Sequence, residues 1–307
     1  RRHGVGGGIV GRLEENGVHV VYGLVGYKIH AKATLVVRRE REQIRRYVHL
    51  ATGNYNPTTA RLYTDLGLLT CRPDFGEDAT NLFNLLTGIC QFQGMKRLLV
   101  APFDLHDRLL ELIAREAKNA RRGLPARIMA RINSLAEPEI MQALYHASQA
   151  GVKIDLIVRG VCCLRPGVPG VSENITVRSI VDRFLEHTRI YYFENACDPE
   201  VFLGSADWLP RNLFRRIETV FPIVDGILRE RVISEVLATT LADNTKARLL
   251  FADGTYHRAA RAAGESVRRS QVEFLALATN GKGIKHTRAP GPGKHPRVEL
   301  APSPFKK

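Results

Sequence analysis

One short unit occurs in both halves of this 307-residue chain, and it restricts the available folds more than any other feature. In the first half Ile29-His30-Ala31-Lys32 runs into the β-run Ala33–Val37, and a later strand ends in Gly53-Asn54-Tyr55-Asn56. In the second half Glu186-His187-Thr188-Arg189 runs into Ile190-Tyr191-Tyr192-Phe193, and a later strand ends in Gly204-Ser205-Ala206-Asp207-Trp208. Each unit is a histidine with a cation two residues on, a strand, and a glycine turn with a short polar side chain. Residues i and i+2 of an extended segment share a face, so His30 projects beside Lys32 and His187 beside Arg189. An imidazole next to a cation suits an anionic electrophile: the cation neutralises phosphate oxygens while a ring nitrogen attacks. Two such units facing each other across a pseudo-symmetric cleft supply one nucleophile and one proton donor or second stabiliser.

The surrounding pattern indicates an α/β architecture. The runs Gly17–Gly23 and Tyr27–Val37 are expected to be two buried strands, with Arg38–Arg46 as a charge-dense connection to a strand resuming at Arg45–Leu50. Helical spacing recurs over 78–93 (Leu82, Leu85, Leu86, Ile89), 106–120 (Leu109, Leu110, Ile113, Ala117) and 137–150 (Ile140, Leu144, Ala147). Strands are expected at Arg97–Pro102 and at Val152–Val158, the second delivering Arg159 to a loop. Strands alternating with such helices imply a mainly parallel or mixed sheet, with working residues at the strand ends. The stretch 280–307, rich in Gly, Pro and Lys, is expected to be a disordered basic tail.

Charge selects the sign of the partner. Lys and Arg number 45 against 31 Asp and Glu, a net +14, so phosphate, a polyanion or nucleic acid is the first expectation. The basic residues Arg178, Arg183, Arg211, Arg215 and Arg216 are candidates to line a polyanion channel. The odd number of cysteines, five, with no metal-type CxxC spacing, points to a reducing cytoplasm. There is no run of roughly eighteen apolar residues and no signal-peptide layout. The chain lacks an initiator Met and begins in a glycine cluster, which suggests a piece of something longer. Single histidines are weaker signals: His49 has Ala51 rather than a cation at i+2, and His19, like His49, is expected to be structural. Trp208 is expected to pack, and Cys162-Cys163 to be buried thiols near a site loop.

The double His-x-Lys/Arg pattern resembles the phospholipase D superfamily, and longer words resemble the polyphosphate kinases that pass through a phosphohistidine. Those words are Lys28-Ile29-His30-Ala31-Lys32, Thr52-Gly53-Asn54-Tyr55-Asn56, Ala60-Arg61-Leu62-Tyr63-Thr64-Asp65, Val158-Arg159-Gly160, Ser179–His187 and Gly204–Trp208, in order between about Leu13 and Phe251. The resemblance implies two phospholipase D-like domains, each with a mixed sheet flanked by helices: an incomplete one over 1–96 and a second over 97–279. It implies reversible transfer of the ATP γ-phosphoryl to inorganic polyphosphate, with magnesium as cofactor and His30 as the phosphorylated nucleophile. Tyr63, Arg159 and His187 match its nucleotide and phosphate contacts; Lys32 and Arg189 are the neighbouring cations, and no metal ligands are assigned. ATP or ADP and polyphosphate are the implied partners, with no specific nucleic acid. Cytoplasmic residence with peripheral membrane association, and assembly into homo-oligomers, also follow from the likeness. A phospholipase D-type phosphodiesterase using the same histidines, and a catalytically silent polyanion-binding fragment, are the alternatives.

Overall fold

The structure is a computed structural model and describes residues 6–280; the tail expected over 280–307 lies outside them save for Asn280. A ten-stranded mixed sheet forms its centre. In chain order the strands are β1 (Lys28–Ile29), β2 (Ala33–Glu40), β3 (Gln43–Ala51), β4 (Tyr63–Thr64), β5 (Gly67–Thr70), β6 (Leu99–Ala101), β7 (Arg127–Ile132) and β8 (Lys153–Val158). There follow β9 (Ile175–Ile180), β10 (Leu185–Glu186), β11 (Arg189–Phe193), β12 (Glu200–Gly204), β13 (Arg216–Pro222), β14 (Ala247–Leu250) and β15 (Tyr256–Arg258). The large sheet runs β1-β13-β12-β11-β7-β8-β9-β14-β15, with β6 also on β13. The portion before residue 97 lends β1 to it and carries its own antiparallel sheet, β2-β3-β5.

Alternation along the central strands explains the layering. Tyr191 and Phe193 of β11 face one core, with Leu105, Leu109, Leu112, Leu144, Leu156 and Trp208. Ile190 and Tyr192 face the other, with Leu203, Ile217, Phe221, Val48, Leu50, Phe75 and Leu82. The first core is capped by the helices Leu105–Arg121 and Pro138–Gln149, whose apolar residues recur every three or four positions. The second is closed by helix Pro73–Leu86 and β3, so the first portion of the chain covers one face of the second portion's sheet. Buried Asp78 fixes this junction by accepting the backbone N–H groups of Lys96, Arg97 and Leu98 at 2.6–2.9 Å.

Several local expectations are corrected. Gly17–Gly23 is not a buried strand: it pairs with nothing, and Val18, Val21 and Tyr22 are 45, 52 and 82% exposed. β-Propensity without a neighbouring strand or a face to cover leaves backbone groups to water. Tyr27–Val37 is two strands broken at His30-Ala31-Lys32, and most of β2 is exposed. Arg38–Arg46 is the end of the β2–β3 hairpin, turning only at Arg41-Glu42, with Arg41 at φ 55°. Ile89 is 74% exposed beyond the end of its helix. Cys163 is exposed, and His19 lies in the same exposed stretch as Val18. Trp208 is fully buried against Tyr191, as expected.

Candidate functional site

Two very short parallel strand pairs join the halves of the chain, and each places a histidine against a carboxylate of the opposite half. β1 pairs with β13 in the register Lys28↔Arg216, Ile29↔Ile217, so the next residues, His30 and Glu218, come level. β10 pairs with β4 in the register Leu185↔Tyr63, Glu186↔Thr64, which brings His187 level with Asp65. His30 Nδ1 lies 2.8 Å from Glu218 Oε2, and His187 Nδ1 lies 2.8 and 3.1 Å from the two Asp65 oxygens. The two dyads are therefore crossed: neither half holds its own imidazole.

The strand-end motifs supply a third member to each dyad. Ser205 Oγ donates to Glu218 Oε2, whose other oxygen accepts Asn212 Nδ2 at 2.7 Å. Thr52 Oγ1 donates to Asp65 Oδ1 at 2.7 Å. The adjacent glycines are steric necessities. A Cβ on Gly53 would stand 2.5 Å from the Asp65 carboxylate, and one on Gly204 2.8 Å from the Thr219 carbonyl oxygen. Gly53→Ala is thus expected to push Asp65 off His187 with the fold kept, since Gly53 does not need a positive φ. Displacement of a positioning group on that scale lowers turnover by about 10²-fold; a kinetic comparison with the parent chain checks it, and unchanged turnover contradicts it.

The cation of each unit turns back on its own histidine. Lys32 Nζ donates to the His30 carbonyl at 2.5 Å, and Arg189 Nη1 to the His187 carbonyl at 2.7 Å. Arg189 also donates to His187 Nε2 at 3.0 Å and forks onto Asp207 at 3.1 and 3.3 Å. Asp207, the acidic residue of the Gly204–Trp208 word, additionally accepts the Asn133 backbone N–H at 2.7 Å. Among the described residues nothing bonds His30 Nε2, which makes the two imidazoles unequal.

The six residues singled out from the sequence come together. Lys32 lies within electrostatic reach of Glu218, Arg189, Asp65 and Arg216. The Tyr63 ring stands 4.9 Å from the His187 ring, tilted by 42°. Arg159, held by Asn133 Oδ1 at 3.0 Å, faces Asp207, Arg189 and Tyr63. Burial pushes the His187 imidazolium down, with its Asp65 hydrogen bond opposing, so the ring is neutral at pH 7 and accepts at Nε2. Burial likewise lowers Arg159 and brings the Lys32 ammonium down to about 8. A cleft of about 720 Å³ opens beside Tyr63, Thr64 and Asp65. Of the channel candidates, Arg216 is at the site, whereas Arg178 is half-buried with its guanidinium on the Leu241 carbonyl.

Sequence patterning did not select Glu218, Asp65, Ser205 or Asp207 as site residues. Asp65 and Asp207 lie inside quoted words, and their signal was a carboxylate next to a strand end. Glu218 stands 188 residues from its histidine, and nothing local marks it.

Residues 9–92 match polyphosphate kinase C-terminal domain 1, and residues 98–271 match polyphosphate kinase C-terminal domain 2. The chain belongs to the polyphosphate kinase family. It is 55% identical over 267 residues to a polyphosphate kinase of Synechocystis sp., covering 87% of this chain and 36% of that protein. It is 56% identical over 269 residues to one of Burkholderia ambifaria, covering 86% of this chain and 39% of the relative. The crystal structure of polyphosphate kinase from Porphyromonas gingivalis superposes with a TM-score of 0.83 at 38% identity, over 89% of this chain and 42% of that one. The chain thus spans between 36 and 42% of the length of these proteins. Among its described residues no helix is long and apolar enough to cross a membrane.

The donor set does not fit a magnesium ion held by the carboxylates of the site themselves. Glu218, Asp65 and Asp207 each already accept from histidine, arginine, amide or hydroxyl donors. No group of three or more His, Cys, Asp or Glu gathers for a metal among the described residues. Magnesium needs several hard oxygen ligands in octahedral array, which these committed carboxylates do not offer.

Proposed function

We propose that this chain carries the centre for reversible transfer of the ATP γ-phosphoryl to inorganic polyphosphate through a phosphohistidine on His30. The observation that carries this reading is the inequality of the two imidazoles. His30 has Nδ1 on Glu218 and a free Nε2, while His187 has both ring nitrogens occupied. With its Nδ1 proton directed at Glu218, neutral His30 presents the Nε2 lone pair. Nε2 bonds to the γ-phosphorus as the bond to the β,γ-bridging oxygen breaks, and ADP leaves with that electron pair. The positive charge formed on the ring rests against Glu218, as the imidazolium of a serine protease rests on its aspartate. In the second half-reaction a terminal polyphosphate oxygen attacks the phosphorus and the N–P bond breaks, restoring the neutral ring. Lys32 and Arg159 are the cations placed to hold the equatorial oxygens. Arg189 stays on His187 Nε2 and Asp207 and acts on these oxygens by its charge alone.

Incubation with γ-phosphate-labelled ATP tests the reading. Label that stays on the protein, is lost in acid and is discharged by polyphosphate or ADP supports it. Release of inorganic phosphate with no protein-bound label, or cleavage of a phosphodiester by the same histidines, rejects it.

The state of Lys32 adds a pH dependence. Its ammonium is charged below about pH 8 and neutral above, so the phosphate grip is lost as pH rises through that value. Because bound polyanion raises a lysine pKa, the fall belongs to kcat/KM more than to kcat. Lys32→Met is expected to abolish that alkaline limb; a limb that survives the substitution belongs to another group.

A further inference from the structure

The loop carrying His187 is held from behind by the helix Ser270–Asn280. Gln271, in its first turn, is 2% exposed. Its Oε1 accepts the Phe184 N–H at 2.8 Å, and its Nε2 donates to the Phe184 carbonyl at 2.8 Å and to Glu186 Oε1 at 2.6 Å. One amide therefore closes both main-chain groups of Phe184, as a third strand would, on the edge of β10 turned away from β4. The second oxygen of Glu186 receives buried Arg131, which also donates to Thr64 Oγ1 at 3.1 Å. Thr64 Oγ1 accepts the His187 N–H at 3.3 Å, and Thr64 precedes Asp65, the partner of the ring. The helix start is fixed in turn by Ser270, whose N–H and Oγ both donate to Asp243 at 2.8 Å, and by Arg269 on Asp182.

We propose that Gln271 is a positioning residue for His187, clamping the 184–187 segment so that the imidazole meets Asp65 and the phosphoryl site. That role rests on reading His187 as half of that site. The residue type is dictated by the clamp: glutamate accepts from Phe184 N–H but cannot donate to its carbonyl, and asparagine is one methylene short. Methionine fills the space but leaves the Phe184 N–H and C=O, and Glu186 Oε1, without the amide.

The test follows the imidazole resonances of His187 and His30 by NMR through a pH titration of the chain. The groups facing His187 are Asp65 at Nδ1, Arg189 at Nε2, Lys32 nearby and the Tyr63 ring. In Gln271→Met the loosened segment admits water, and the His187 midpoint is expected to move up, toward the ordinary imidazole value, by roughly half a pH unit or more. His30 stays in place. Gln271→Glu, which keeps the shape, is expected to shift His187 the same way, and Arg268→Ala, whose partner is Glu273 on the helix surface, to shift neither ring. An unmoved His187 in the Met and Glu variants overturns the proposal, as does an equal movement of both histidines, which marks general loosening. The titration reads no phosphoryl transfer. A shifted His187 in a protein that ATP never labels therefore sustains the clamp and rejects the phosphohistidine.

Discussion

Replacing His30 with alanine is expected to leave no acid-labile label from γ-labelled ATP and to lower transfer by on the order of 10⁴-fold or more, the scale of losing a covalent nucleophile. The magnitude follows from the geometry around the ring. No other imidazole at the site has a free Nε2, since His187 accepts from Arg189 there, so no neighbour can substitute. His187→Ala is accordingly expected to slow the reaction while still permitting slow labelling of His30. Glu218→Gln separates nucleophile from orienter. Asn212 Oδ1 is buried without a partner, so a flipped Asn212 amide can accept from the new glutamine and the fold is retained. The ring then forms its cationic phosphohistidine against a neutral amide, and a loss of about 10²–10⁴-fold is expected. Full labelling in His30→Ala, measured by acid lability of the protein-bound phosphate, refutes the assignment; equal rates in Glu218→Gln and the parent refute the dyad.

What could be seen in the sequence was local. Histidine and cation two residues apart, a following strand and a glycine turn are short-range patterns, and the elements over 105–121, 138–149 and 153–158 follow from periodicity within a few residues of their bounds. The crossed partners could not be seen, because Glu218 and Asp65 are set by two-residue parallel pairings between the halves, and register at such contacts leaves no trace in either strand. Extended geometry does not hold through the first unit. His30 and Lys32 sit in a break between β1 and β2, where Lys32 turns to the His30 carbonyl instead of standing parallel to the ring. The glycines of the strand-end motifs could be located but not explained: Gly53 is there because Asp65 fills the space where a Cβ would be.

Glu186→Ala is expected to be the most destabilising single substitution near the site, by about 3–5 kcal/mol, because it strands a buried guanidinium. Arg131 is 3% exposed, its remaining hydrogen-bond partners are the neutral hydroxyls of Thr64 and Thr240, and the nearby Asp65 carboxylate is already engaged by His187 and Thr52. Burial lowers its pKa in the intact protein only to about 10, and a guanidinium does not give up its proton at neutral pH, so the variant cannot escape the penalty that way. Net stabilities of domains are about 5–15 kcal/mol, so the loss is a large part of the whole. Urea denaturation reads it as a fall in midpoint at unchanged slope. Removing both charges, in Arg131→Met with Glu186→Leu, is expected to recover most of the loss, since an apolar pair of similar volume is often as stable as a buried ion pair. The recovery remains incomplete by the value of the Gln271 hydrogen bond to Glu186, about 1 kcal/mol. A single-variant loss below about 1 kcal/mol would mean that water reaches Arg131 and that the ion pair behaves as a surface one.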